Sequence, residues 1–205
     1  MRAAFEAIAE DGFEGLRTRT VAARAGVNIA TLHYYFPSKE ALIGGVAQCL
    51  SSRFISQHGP APEASGNEAL DRLRQEFSDI RFYRAKHRDL MIVMLELQLR
   101  ARRDQAIANI MDPLLEHFRA GLEKLVRDGV KDGSLRPDLD PEDAARVLML
   151  AFMGTATAPI SAKSLDGVFA ELERWLIAPA AKPAKYKSPK QGGKDKHKGK
   201  RNGKK

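Results

Sequence analysis

Residues 18–39 read TRTVAARAGVNIATLHYYFPSK, and the reading of this stretch decides the architecture. Two short runs of helical spacing are separated by Gly26-Val27. In the first, Val21, Ala22 and Ala25 share a face, Thr18 stands where a cap is needed for a helix over 19–25, and Gly26 closes it. In the second, Asn28 is placed as a cap, and Leu32 and Phe36, four residues apart, point inward. Ile29, Ala30, Thr31, His33 and Tyr34 are left to face outward. Two short helices joined by a Gly-containing turn, the second burying few of its side chains, form the arrangement by which a helix enters the major groove of DNA. The small Ala30 and Thr31 permit close approach to base edges.

Upstream, Ala4, Phe5, Ile8 and Ala9 share one helical face, and Gly12 predicts the end of a first helix near Asp11. Met1 already lies within this pattern, and the acidic N-terminus lacks the apolar run of a secretory signal. Downstream, Pro37 stops the third helix and Ser38 caps a long fourth, carried by Leu42, Ile43, Val46, Ala47, Leu50 and Phe54. The Pro- and Gly-rich loop HGPAPEASG, residues 58–66, marks a boundary.

Beyond it, helical spacing continues without a sustained period-2 run, so the expected class is all-α. A fifth helix follows Leu70, Leu73, Phe77, Ile80 and Tyr83 to about Ala85, and a sixth runs from Asp89 to about Arg102. A seventh begins near Asp104, and Pro113 within it is expected to kink or split it. Asp140 as cap, Pro141 at the first helical position and Asp143 give a strong start signal for an eighth. Its segment VLMLAFMGTATA is apolar nearly all round and needs cover on both sides. A ninth helix carries Val168, Phe169, Leu172, Trp175 and Leu176, more apolar surface than one small domain covers, which predicts a homodimer built through the eighth and ninth helices.

Composition bounds the remaining choices. Hydrophobic residues make up 43% and charged residues 29%, an ordinary globular balance. The net charge of +8 belongs to the tail: residues 178–205 carry +10, leaving the rest at −2. This Lys-rich tail has too few apolar residues to fold and reads as a disordered cation able to strengthen non-specific DNA binding through counterion release. The single Cys49 excludes an internal disulfide and reads as a buried thiol, which fits a cytoplasmic setting. The longest uncharged run, residues 147–162, falls short of the roughly 20 residues that span a bilayer, so no membrane partner is expected. The chain has no Gly-rich phosphate loop or nucleophile motif, and His33, His58, His87, His117 and His197 show no metal-ligand spacing. Neither enzyme activity nor a metal or other cofactor is expected.

Read together, the stretch GFEGLRTRTVAARAGVNIATLHYYFPSKEAL resembles the DNA-binding domain of TetR-family transcriptional regulators, through its AGV turn, the TL-x-x-YF end of the second short helix and the following SKE-x-L. The match is dense over about residues 3–47 and architectural over 67–177, where GSLRPDLDPEDAA is similar to the entry to the eighth helix of many members. The resemblance implies a helix-turn-helix domain over 1–47, a helical effector-binding and dimerisation domain over 48–177 reached through the fourth helix, and a tail over 178–205 without family counterpart. It implies phosphate contacts from Thr18, Tyr35 and Lys39, groove contacts from Ile29, Ala30, Thr31, His33 and Tyr34, and a DNA-facing set completed by Arg19, Thr20 and Asn28. His33 stands where the family most often has Tyr, and Thr20 where an acidic residue is common.

The implied partners are double-stranded DNA with a palindromic operator, a second copy of the chain, and a small apolar effector that releases a repressor. For the effector, the apolar and Met-rich positions Phe77, Met91, Met94, Gln98, Phe118, Met149 and Met153 are the candidate lining. The competing reading is an architectural protein that coats DNA through reader and tail, without an effector.

Overall fold

The computed structural model describes residues 1–177, and the tail reading at 178–205 lies outside the described residues. Among the described residues the chain is helical throughout, with no strand. In chain order the helices are α1 (Arg2–Asp11), α2 (Thr18–Ala25), α3 (Ile29–Tyr35), α4 (Lys39–Ser56), α5 (Glu68–Lys86), α6 (Arg88–Ala101), α7 (Gln105–Asp132), α8 (Pro141–Thr157) and α9 (Ala162–Ile177). A single 3-10 turn, Phe13–Gly15, joins α1 to α2.

Capping sets most boundaries. The Asn28 side chain accepts from the Thr31 amide at 2.7 Å, Ser38 Oγ from Ala41 at 3.1 Å, and Asp140 from Asp143 at 2.9 Å, with Pro141 at the first helical position. Each satisfies one of the amides that a helix start leaves without an intrahelical partner. The start of α2 differs from the expected one: Thr18 is already helical, Arg17 is the capping position, and no side chain caps it. Cys49 also differs, being half-buried against the core instead of fully enclosed.

Pro113 does not split α7, which runs unbroken for 28 residues. Proline removes one amide donor and crowds the carbonyl four residues back. Here both Pro113 and Asn109, which carries that carbonyl, are exposed, so water can bond the freed oxygen. Packing at both ends of the helix, from Met111 on one side and Leu122, Leu125 and Val126 on the other, holds it in one piece.

Two buried clusters organise the packing. The first gathers Phe5 and Ile8 of α1, Val21 of α2, Leu32 of α3, Ile43, Val46 and Leu50 of α4, Tyr83 of α5, Val93 and Leu97 of α6, and Met111 of α7. It crosses residues 47 and 48, which fall inside α4, so α1 to α4 and α6 share one core. The second joins α5, the C-terminal half of α7, α8 and α9 around Phe77, Phe152 and Phe169. Val147 and Leu150 of α8 and Val168 and Ile177 of α9 are exposed, Leu150 by 71%.

Candidate nucleic-acid interface

Local sequence builds the reading unit in steps. Gly26 closes α2 at φ 67°, a left-handed conformation that costs glycine little and side-chain-bearing residues more. The Val27 amide returns to the Ala22 carbonyl at 3.0 Å, which turns the chain sharply before α3. Of the seven residues of α3, only Leu32 is buried. Ile29, Ala30, His33, Tyr34 and Tyr35 are exposed and Thr31 is half-buried. Tyr34 and Tyr35 are 81% and 68% exposed and meet edge to face at 5.2 Å, so Tyr35 is not a core residue. No carboxylate occurs in α2 or α3.

The flanking charges differ in how they are held. Arg24 is committed to α1, with Nη1 2.5 Å from Glu10 Oε2 and Nη2 2.6 Å from Asp11 Oδ2. Arg19 and Lys39 are exposed and form no ion pair among the described residues. Thr18 and Thr20 are half-exposed beside Arg19, and Asn28 is exposed but used as a cap. The residues expected to face DNA thus lie on α2, α3 with its cap, and the start of α4, and all are exposed or half-exposed.

Lys39 rests its Nζ 4.6 Å from the centroid of the Phe13 ring, a cation–π geometry. Phe13 is held in turn by α6, whose Glu96 Oε2 accepts from the Phe13 amide at 2.9 Å, while the Arg100 guanidinium lies 4.9 Å from the same ring. Sequence reading missed Phe13, Glu96 and Arg100. Their only signal was the four-residue spacing of Glu96 and Arg100, which marks a shared helix face without naming what it meets.

The candidate effector-lining residues do not all meet. Met91 and Met94 pack against the first core, whereas Phe77, Phe118 and Met149 belong to or pack against the second. Gln98 Nε2 reaches Met153 Sδ at 3.0 Å and so ties α6 to α8. A cleft of about 390 Å³ between α5 and α9 has Phe77 and Phe169 in its wall and includes none of the other candidates. Arg74 and Arg81 flank it, paired with Glu173 and Asp166 at 2.6 Å each.

Comparison with known proteins agrees with this geometry. The sequence model for bacterial regulatory proteins of the tetR family matches residues 1–46, and that for the C-terminal domain of tetracyclin repressor-like proteins matches residues 93–176. No curated protein matches the chain. Among solved structures, a protein from Rhodococcus sp. described as a TetR-family transcriptional regulator superposes with a TM-score of 0.75 at 20% identity, over 86% of this chain and 95% of that one. A TetR transcription regulator from Haloarcula marismortui gives 0.71 at 21% identity, over 85% and 93%. A transcriptional regulator from Saccharomonospora viridis, solved in complex with choline, gives 0.67 at 20% identity, over 83% and 91%. At these identities the likeness is one of fold. Among the described residues no helix is long and apolar enough to cross a membrane.

Proposed function

The chain belongs to the tetR family of bacterial regulatory proteins, and from that premise we propose that it is a repressor which binds a palindromic operator as a homodimer and leaves it when a small apolar ligand binds. The observation that carries the reading is α3 itself. A helix that buries only Leu32, contains no carboxylate and presents Ile29, His33, Tyr34 and Tyr35 between the unpaired Arg19 and Lys39 has the surface that a DNA groove and its phosphates complement. Lys39, Thr18 and Tyr35 fix register on the backbone, and Ile29, Ala30, Thr31, His33 and Tyr34 read base edges.

The exposed Val147 and Leu150, three residues apart on one face of α8, support dimerisation through α8 with α9, where Val168 and Ile177 are also exposed. The dimer would set two α3 helices about 34 to 36 Å apart, one turn of DNA. A small organic effector is supported by the choline held by the S. viridis neighbour. The proposed lining centres on Gln98 and Met153, which meet between α6 and α8, and draws its other members, Met91, Met94, Phe118, Met149 and Phe77, from the two cores that divide them. Its signal would reach the reader through α6, because Glu96 and Arg100 hold Phe13 and Phe13 seats Lys39.

The test is operator binding by single variants. His33→Ala is expected to relax base preference at one position of each half-site, by about 1–3 kcal/mol of discrimination. Lys39→Ala is expected to weaken binding about equally on all sequences. An unchanged preference and affinity with His33→Ala would remove that residue from the groove.

A further inference from the structure

We propose that the turn between α6 and α7 is a second DNA-contacting surface, in which Arg102 and Arg103 bind the phosphate backbone beside the reading unit. The inference rests on the DNA-binding reading above and extends it to residues of the second domain.

Position is the first observation. The last turn of α6 packs against the 3-10 turn that precedes α2. Arg100 and Lys39 approach the same Phe13 ring, at 4.9 and 4.6 Å from its centroid, so their charged ends can be no farther apart than those two distances laid end to end. Arg102 and Arg103 follow Arg100 by two and three residues, at the point where the chain leaves α6 for α7. The adjoining Asp104 is close enough to act electrostatically on Glu40, the residue next to Lys39. The α6–α7 turn therefore borders the start of α4, where the phosphate-contacting lysine is expected.

Charge is the second. Most arginines of the described chain are committed to carboxylates, as Arg24, Arg53, Arg74, Arg81 and Arg119 are. Arg102 and Arg103 are exposed and form no ion pair among the described residues, which they share with Arg17 and Arg19 of the reader and with Arg88 at the start of α6. The nearby carboxylates do not pair with them among the described residues: Asp104 lies 3.5 Å from Arg100 and accepts from the Ala106 amide, and Glu40 forms no ion pair.

Two adjacent, solvated guanidiniums without internal partners are well suited to phosphate, which each can meet through two parallel hydrogen bonds. Continuity with Lys39 and Arg19 makes duplex DNA the occupant. The contact carries no sequence information; it adds affinity and sets the angle at which the second domain stands over the duplex.

The experiment measures binding of the full-length protein to a mixed-sequence duplex long enough for two successive major grooves, over a series of salt concentrations. Wild type, Arg102→Gln/Arg103→Gln, Arg102→Lys/Arg103→Lys and Lys39→Ala are compared. The Gln pair is expected to flatten the slope of log affinity against log salt by about 0.9 for each arginine that reached a phosphate, and the Lys pair to keep most of it. A wild-type slope for the Gln pair while Lys39→Ala is flattened would overturn the proposal and leave the reader intact. Wild-type slopes for both would overturn the reader's phosphate contacts as well.

Discussion

Phe152→Ala is expected to destabilise the protein by about 3–5 kcal/mol, the cost of emptying a large aromatic site in a packed core. Phe152 is 1% exposed on the inner face of α8. Its ring lies 6.0 Å from Phe77 of α5, 6.3 Å from Phe118 of α7 and 6.2 Å from Phe169 of α9, so it joins every wall of the second core. Phe77 and Phe169 are already stacked at 4.7 Å, and Thr155 Oγ1 donates to the Phe152 carbonyl at 2.6 Å. Rings locked to one another and a helix tied by its own hydrogen bonds cannot close over the space. Chemical denaturation reads the loss directly, and a value under about 1 kcal/mol would mean that the core had collapsed to fill it. For a domain whose net stability is of order 5–15 kcal/mol, the expected loss would also lower the amount of folded protein in the cell.

Asp79→Ala is the second large effect, about 1.5–3 kcal/mol, because it removes a buried carboxylate that accepts from three donors. Asp79 is 7% exposed on α5 and accepts from His58 Nδ1 at 2.9 Å, the Gly59 amide at 2.7 Å and Gln75 Nε2 at 2.7 Å. His58 Nε2 faces the Ile55 carbonyl at 2.8 Å, so both ring nitrogens meet acceptors and both bonds coexist only when the ring is protonated. The hydrogen bond to Asp79 accordingly raises the His58 pKa above 6.5, ahead of the opposing effect of burial. Tyr83 completes the joint by donating to the Phe54 and Gln57 carbonyls, and together these bonds tie the end of α4 to α5.

The pH dependence has a definite sign. A histidine raised in the folded state contributes stability that is fully present below its unfolded value and is lost as pH rises through its folded one. Neighbouring Glu76 acts in the same direction: burial, then the charge of Asp79, push its carboxyl up from 4.5 to about 7. The folded state therefore holds the Glu76 proton that the unfolded chain has released, and stability falls as pH rises between those two values. Stability of the wild type against denaturation is expected to fall steadily from about pH 4.5 to beyond neutrality. Glu76→Gln should remove the acid part of this slope and Asp79→Asn the part due to His58. A slope unchanged by both variants would contradict the coupling.

How far the sequence could be read depended on the range of the interaction. Caps at Asn28, Ser38 and Asp140 are local, each side chain reaching three residues along its own helix, and they were legible. The outward residues of α3 followed from the spacing of Leu32 and Phe36 for the same reason. Of the two outcomes expected at Pro113, a kink or a split, the split does not occur, because the freed carbonyl is open to water while both ends of α7 are packed. Asp79, between Phe77 and Ile80 on α5, carries no local signal of burial, since its partners His58 and Gly59 come from the loop before that helix. The bond from Phe13 to Glu96 spans 83 residues, and nothing local announces it. The reader's surface was thus visible from the start, whereas its attachment to α6 was not.

Sequence-specific recognition through α3 by a symmetric pair of protomers is tested most directly by selecting bound duplexes from a random pool with the full-length protein and then competing the selected DNA against unrelated duplex. The expected result is a single enriched pseudo-palindrome whose half-sites are about one helical turn apart, preferred over unrelated DNA by about 10³ or more at physiological salt. Enrichment of no sequence, with a preference near unity, would contradict it and leave a protein that only coats DNA.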